Sequence, residues 1–134
     1  SINAPLTYDT HHIFRASLLK VMKKDAILIN TARGAIVKTK DVINALKKGN
    51  LAGYATDVYE AEEGIFFKDN SRTGIKDEQL LELLSLPNVL LTPHQAFATN
   101  EALDRIAETT IYNIDCWQEG RGCKNELGYE TFVS

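Results

Sequence analysis

Arg33, Asp57 and His94 each follow a short apolar run, at the point where that run ends. An arginine can hold a planar carboxylate through two parallel hydrogen bonds, and Arg33 directly precedes a glycine that permits a tight turn. A histidine can give and take a proton near neutral pH. Glu60 and Glu62 lie just after Asp57 and add further carboxylates. An anion clamp, a carboxylate and an imidazole together suggest a site for proton transfer.

Each of these residues, taken singly, also has an ordinary structural explanation. Arg33 could be a surface arginine that follows a strand by chance. The run Glu60, Glu62 and Glu63 could be a solvated loop, and a histidine after Thr-Pro, such as His94, commonly lines a loop or caps a helix. The shared position at the ends of apolar runs is what favours a catalytic site.

Strands and helices that alternate along the chain must position these residues. Ala26–Ile29 and Val89–Leu91 are apolar without alternation, which predicts strands buried on both faces, and Leu51–Thr56 is the strand between them. Helices are predicted from Arg15 or Ser17 to Lys23, from an amino-terminal cap at Thr39 to Lys48, over Asp77–Leu86, and from about Thr99 to Glu119. Ser1–Asn3 resembles the end of a further strand.

This alternation predicts an α/β fold with a parallel sheet and right-handed crossovers. Parallel strands release their loops at one edge, so Arg33, Asp57 and His94 should meet there. In the third helix, Asp77 should cap the amino end, and four leucines should be buried, namely Leu80, Leu81, Leu83 and Leu84. The segment Val58–Lys76 has no periodicity and is predicted to be a long functional or mobile loop.

Composition excludes several classes of function. The 134 residues carry a net charge of −3 and no basic patch, so we expect no nucleic-acid partner. The apolar runs are too short to cross a bilayer, and no membrane partner is predicted. Cys116 and Cys123 have no neighbouring metal-ligand residues, which predicts two reduced thiols, no metal site and a cytoplasmic protein.

Three ordered motifs are similar to the successive signatures of the D-2-hydroxyacid dehydrogenases: Asn30–Gly34, Gly53–Glu62 and Thr92–Phe97. The stretch Ile65–Asp69 resembles the D-lactate dehydrogenase branch in particular. The resemblance runs over nearly the whole chain in one register. It implies a Rossmann-type parallel sheet and NAD as the cofactor.

The resemblance also implies roles for the residues at the strand ends. Arg33 would bind the carboxylate of a 2-oxo acid and polarise its carbonyl, and His94 would give that carbonyl oxygen a proton. Glu62 would hydrogen-bond to His94 and so favour the protonated imidazole. Glu60 would be a loop residue without a catalytic role. Asp57 would face the nicotinamide end of the cofactor.

Further positions match those with which the family lines its ligands. Tyr59 is predicted to serve in packing, and Phe97 to border the substrate side chain. The residues expected to line the dinucleotide, besides Arg33 and Asp57, are Ala4, Pro5, Thr10, Thr31 and Ala32.

The family's glycine-rich phosphate turn has no counterpart here, because the eight glycines are scattered singly. The resemblance therefore implies the second half of a dinucleotide-binding domain over residues 1–98, with a helix and tail over 99–134 that return toward an absent substrate domain. We expect these 134 residues alone to be inactive. The helix from Thr99 and the tail with Trp117 should pack on parts not present, and the full-length protein should be a homo-oligomer.

The leading interpretation is a part of an NAD-dependent D-lactate dehydrogenase that reduces pyruvate. A related enzyme for a different 2-oxo acid is the first alternative. The second is a corepressor of the same fold, which would sense NAD without turnover. The third, a stand-alone α/β binding module, requires the coincidence at the strand ends to be accidental.

Overall fold

A computed structural model describes residues 1–128, which fall into two compact units that divide after Ala96. The first unit contains a three-stranded, fully parallel sheet in the order β1-β2-β3. The strands are β1 (Ile27–Asn30), β2 (Gly53–Thr56) and β3 (Val89–Leu91). The predicted α/β class and parallel sheet are confirmed. The predicted fourth strand, at the amino end, is reduced to one bridge between Ile2 and Asn30.

Helices connect the strands as the alternation predicts. Before β1, α1 covers only Ala16–Leu19, which is shorter than expected, and a 3₁₀ turn over Gly34–Ile36 follows β1. The helices α2 (Thr39–Lys47) and α3 (Glu78–Ser85) precede β2 and β3 respectively. A buried core joins these helices to one face of the sheet, and its members include Leu28, Ile36, Val42, Leu46, Tyr54 and Leu83.

The expectation that β1 and β3 are buried on both faces is wrong. The side chains of Ile27, Ile29 and Leu90 are 63%, 40% and 66% exposed. Strand register places Ile29 beside Ala55 and Ala55 beside Leu90, so these residues share one face. The core that includes α2 and α3 lies on the other face. An apolar run indicates side chains that are favourable to bury, but it does not show which element, if any, covers each face of the sheet.

The burial predicted for α3 is half right. Asp77 caps the helix as expected, since its carboxylate accepts a hydrogen bond from the backbone N–H of Leu80 at 2.8 Å. Leu80 and Leu83 are buried, but Leu81 and Leu84 are 47% and 48% exposed. Residues three apart share a helix face, whereas their next neighbours are turned by about 100° toward solvent.

The predicted cap of α2 is wrong. Thr39 is the first helical residue, and Lys38, which precedes it, makes no side-chain capping bond. The backbone N–H of Thr39 instead donates to Oε2 of Glu60 at 2.9 Å. The cap therefore comes from a loop that follows β2, and a local sequence rule cannot detect it.

The second unit contains α4 (Asn100–Gln118), which Thr99 caps by accepting a hydrogen bond from Ala102 N–H at 3.2 Å. Its Cys116 is buried, and both cysteines are free thiols as predicted. The apolar side chains predicted to need a partner outside the chain are 46–83% exposed, namely Leu103, Ile106, Ile111, Ile114 and Trp117. The end of the predicted tail, 129–134, lies outside the described residues. In residues 1–128, no helix has the length and apolar character needed to cross a bilayer.

Candidate active site

The loops after β2 and β3 bring a carboxylate and an imidazole together. Oε1 of Glu62 lies 3.0 Å from Nδ1 of His94. A carboxylate can only accept, so Nδ1 carries the proton and donates it to Glu62. The other ring nitrogen, Nε2, makes no hydrogen bond within the described residues and is left for proton exchange. Both side chains are about one-third to one-quarter exposed, which gives a substrate access to the ring.

The backbone at His94 is left-handed, with φ at +53°, and Asp57 holds the turn that requires this. One carboxylate oxygen of Asp57 accepts from the hydroxyl of Thr92 at 2.5 Å and from Gln95 N–H at 2.9 Å. The other accepts from Ala96 N–H at 2.9 Å. Asp57 thus connects the end of β2 to both sides of His94. This structural role was not predicted from the sequence.

These bonds decide the ionisation of Asp57, which is only 5% exposed. Burial by itself would raise the pKa of this carboxyl. The hydrogen bonds from Thr92, Ala96 and Gln95, together with the nearby His94, outweigh burial and hold the pKa of Asp57 below its ordinary value of 3.8.

We expect Asp57→Asn to lower the free energy of unfolding by about 1–3 kcal/mol at pH 7, because the amide nitrogen would face a backbone N–H. The pKa is lower in the folded state, so the carboxylate's contribution is complete above about pH 4 and is lost as the pH falls through the folded value. Urea unfolding of the full-length protein at pH 7 and pH 3 measures both effects. The exposed Asp25→Asn is the control and should change little at either pH. A loss for Asp57→Asn that is equal at both pH values would contradict the assignment.

Glu62 is itself fixed by the loop that carries it. Its Oε2 accepts a hydrogen bond from the backbone N–H of Tyr59 at 2.9 Å. Tyr59 is buried with Phe66 and Leu80, as its predicted packing role requires, and its hydroxyl donates to Asp77 at 2.8 Å. Burial, and then this hydrogen bond, raise the pKa of Tyr59 above its ordinary value. The carboxylate of Glu62 is therefore anchored on a packed loop.

Arg33 follows β1 at the carboxyl edge of the sheet and is exposed. One guanidinium nitrogen donates to its neighbour's carbonyl, Ala32 O, at 2.7 Å, and within residues 1–128 the group forms no salt bridge. Buried Asn30 shapes the turn, since its side chain accepts from Ala32 N–H and donates to the carbonyl of Arg33. The remaining guanidinium donors are available to an anion.

Gly34 brings the Arg33 turn against the loop that carries Glu62. A Cβ atom at residue 34 would lie 2.1 Å from the carbonyl carbon and oxygen of Tyr59 and 2.5 Å from the nitrogen of Glu60. Only a glycine permits this approach of one backbone to another. The contact sets the distance between the two loops that hold the predicted arginine and glutamate.

The positions predicted to line a dinucleotide gather at the same edge. Ile2 pairs with Asn30 in parallel, so Ala4 and Pro5 leave the sheet beside Thr31 and Ala32. Thr10 is tied to this segment, because its hydroxyl donates to the carbonyl of Pro5 at 2.7 Å. That these residues contact a cofactor stays a prediction.

Two aromatic residues and a second histidine lie near the candidate site or were predicted to border it. The ring of Phe67, in the long loop, lies 5.9 Å from the ring of His94 between centroids. Phe97 belongs to the second unit and is half exposed, so its predicted place beside the substrate stays a prediction. His12 was not predicted as part of the site, but its Nε2 lies 2.5 Å from Oε1 of Glu60. The two partners are 48 positions apart, so no local pattern connects them.

The family model described as D-isomer specific 2-hydroxyacid dehydrogenase, NAD binding domain, matches residues 1–96. The 2-hydroxyacid dehydrogenase A of Aspergillus oryzae is 49% identical over 95% of this chain and 37% of its own length. The D-lactate dehydrogenase kk1H of Curvularia clavata is 42% identical over 95% of this chain and 36% of its own length. A solved D-lactate dehydrogenase from Sporolactobacillus sp has a TM-score of 0.86 and 36% identity, covering 94% of this chain and 38% of that one.

The chain therefore spans little more than a third of the length of the curated relatives it matches. The match to the family model over residues 1–96 and the TM-score of 0.86 to a solved D-lactate dehydrogenase agree with each other. The chain belongs to the D-isomer specific 2-hydroxyacid dehydrogenases, and its residues 1–96 are part of their NAD-binding domain.

Proposed function

We propose that these residues serve an NAD-dependent D-lactate dehydrogenase that reduces pyruvate. The observation that carries the proposal is the 3.0 Å contact between Oε1 of Glu62 and Nδ1 of His94, at the sheet edge that also holds Arg33. Nε2 of His94 forms no hydrogen bond with any of residues 1–128. The overall reaction consumes pyruvate, NADH and one proton and yields D-lactate and NAD⁺. Bound NADH would supply the hydride that reaches the carbonyl carbon.

His94 would supply the proton in this reaction. Its Nε2–H bond would break as the carbonyl oxygen takes the proton, which leaves a neutral ring with Nδ1–H still bonded to Glu62. In the reverse direction, the same nitrogen would accept the proton of the hydroxyl. The carboxylate of Glu62, bonded to Nδ1, would fix the orientation of the ring throughout.

Arg33 would bind the substrate carboxylate, and its bidentate geometry would orient the neighbouring carbonyl. We expect Arg33→Lys to lower kcat/KM for the 2-oxo acid about 10- to 100-fold, because lysine keeps the charge but loses the paired hydrogen bonds. The dissociation constant of NADH should change little. Steady-state kinetics of the full-length protein measure the first effect, and Arg105→Lys on α4 is the matched control. A loss of NADH binding without a rise in KM for the oxo acid would contradict this role.

The residues present fit one end of NAD. Thr31, Ala32 and Pro5 offer exposed or half-exposed positions at the carboxyl edge, next to the imidazole that would exchange the proton. The chain has no Gly-x-Gly-x-x-Gly turn for the pyrophosphate. These positions would therefore hold the nicotinamide end, and residues outside the 134 would bind the phosphates.

It follows that a polypeptide of these 134 residues alone should not bind NADH with a micromolar dissociation constant and should not turn over pyruvate. The missing phosphate turn and the exposed apolar face of the sheet are the reasons. Fluorescence titration with NADH, with the full-length protein as positive control, measures the binding. Saturable micromolar binding by the short polypeptide would refute this expectation.

The full-length protein is predicted to be a homo-oligomer, and light scattering, which measures its mass in solution, tests this prediction.

A second substrate is favoured by a specific relative. The aromatic 2-oxoacid reductase of Clostridium sporogenes is 38% identical over 94% of this chain. Steady-state kinetics of the full-length protein with pyruvate and with phenylpyruvate distinguish the two substrates. A kcat/KM at least tenfold higher for pyruvate supports the lactate assignment, and the reverse preference supports an aromatic 2-oxo acid. Turnover of neither, with NADH bound, would support the corepressor alternative.

A further inference from the structure

A second pair of a histidine and a glutamate lies beside the candidate site. Nε2 of His12 is 2.5 Å from Oε1 of Glu60, and both side chains are about one-quarter exposed. The second oxygen of Glu60 accepts from Thr39 N–H at 2.9 Å. Both carboxylate oxygens of Glu60 are therefore engaged, and the loop after β2 is tied to the start of α2 and to the segment before α1.

His12 is held firmly enough to act as an anchor. Its backbone N–H donates to Ala35 O at 2.9 Å, just after the Arg33 turn, and its φ is +54°. Two residues later, Phe14 forms a parallel bridge with Val37. A residue other than glycine keeps a left-handed backbone only where surrounding contacts hold it in that conformation. At His12, these contacts come from the segment that follows Arg33.

The loop that this pair fixes is also the loop that carries Glu62. Gly34 packs on the peptide that joins Tyr59 to Glu60. Glu62 lies two residues further on and bonds to Tyr59 through both its side chain, at 2.9 Å, and its backbone N–H, at 3.3 Å. A movement at Glu60 would thus shift the peptide against Gly34 and carry Glu62 away from His94.

We propose that His12 and Glu60 are a positioning pair for the reaction, which holds Glu62 against His94 and the loop against the Arg33 turn. The pair touches neither substrate nor cofactor and acts through Glu62. This inference rests on the proposed function, in which Glu62 orients the proton donor. It revises the interpretation of Glu60 as a loop residue without a part in catalysis.

The test uses His12→Asn and His12→Gln in the full-length protein. Asparagine tolerates the left-handed backbone but is too short to reach Glu60, whereas the glutamine amide nitrogen lies as many bonds from Cβ as Nε2 does. We expect His12→Asn to lower kcat about 10- to 100-fold, with KM for NADH within about twofold, because small displacements of reacting groups have effects of this size. We expect His12→Gln to keep most of kcat. Glu60→Gln should lower kcat less than His12→Asn does. Glu63→Gln, at an exposed neighbouring position, is the control and should leave kcat unchanged.

A double variant separates positioning from a purely structural role. If His12 acts through Glu62, then His12→Asn combined with Glu62→Gln should be no slower than Glu62→Gln alone. The inference would be overturned, with the proposed function left standing, by either of two results. In the first, the kcat losses of His12→Asn and Glu62→Gln multiply in the double variant. In the second, Glu62→Gln is impaired, but His12→Asn and Glu60→Gln each keep kcat within about twofold of the unaltered protein. Full activity of Glu62→Gln would overturn the proposed function, and this inference with it.

Discussion

Replacing His94 by asparagine in the full-length protein should lower kcat by about 10²- to 10⁴-fold, the range expected for loss of a general acid or base. Asparagine suits this position because it tolerates the left-handed backbone that the residue adopts, with φ at +53°. The turn itself should persist, since Asp57 holds it through Thr92 and two backbone N–H groups. The amide cannot release a proton near neutral pH, so the proton-transfer step is lost while the fold is kept.

Two measurements check that the loss is chemical. The dissociation constant of NADH, from fluorescence titration of the same variant, should change by less than about threefold, because Nε2 is assigned to the carbonyl oxygen alone. Glu62→Gln should give an intermediate kcat, since the ring stays but loses the carboxylate that orients it. A His94→Asn variant that keeps more than a tenth of kcat would remove His94 from the reaction. A variant that no longer binds NADH would place the residue in cofactor binding instead.

The convergence of the candidate residues was predictable from the sequence because it depends only on connectivity. Alternating strands and helices imply parallel strands, and parallel strands release their loops at one edge, wherever the side chains point. The choice of Glu62 rather than Glu60 as the partner of His94 came from the family resemblance. Both carboxylates lie in the same loop, and no periodicity distinguishes them.

The features that could not be predicted depend on contacts between distant segments. Glu60 takes the role of helix cap for a residue 21 positions away and pairs with a histidine 48 positions away. A local rule assigned the cap to Thr39, because threonine is a favoured N-cap residue and the residues next to it in sequence offer no better one. The exposure of one face of β1 was not predicted for a similar reason. The apolar side chains of Ile27 and Ile29 indicate a face that is favourable to bury, but they do not show which part of a protein covers it.

Gly34→Ala should cause the largest loss of stability among single substitutions at the site, about 3 kcal/mol or more in the free energy of unfolding. The added Cβ would lie 2.1 Å from the backbone of Tyr59, and a backbone cannot rotate away as a flexible side chain can. One of the two loops must therefore move. Because those loops carry Arg33 and Glu62, the folded fraction should also lose kcat/KM for the 2-oxo acid.

Two other glycines give a graded control for this prediction. A Cβ at Gly53 would lie 3.3 Å from the carbonyl oxygen of Asn88, and a Cβ at Gly122 would meet nothing within 4 Å. Urea unfolding of the three alanine variants should therefore give a large loss at residue 34, a small one at residue 53 and almost none at residue 122. Equal stability of Gly34→Ala and Gly122→Ala would mean that the two loops do not touch. The site would then lose the contact that places its arginine and its glutamate on one edge.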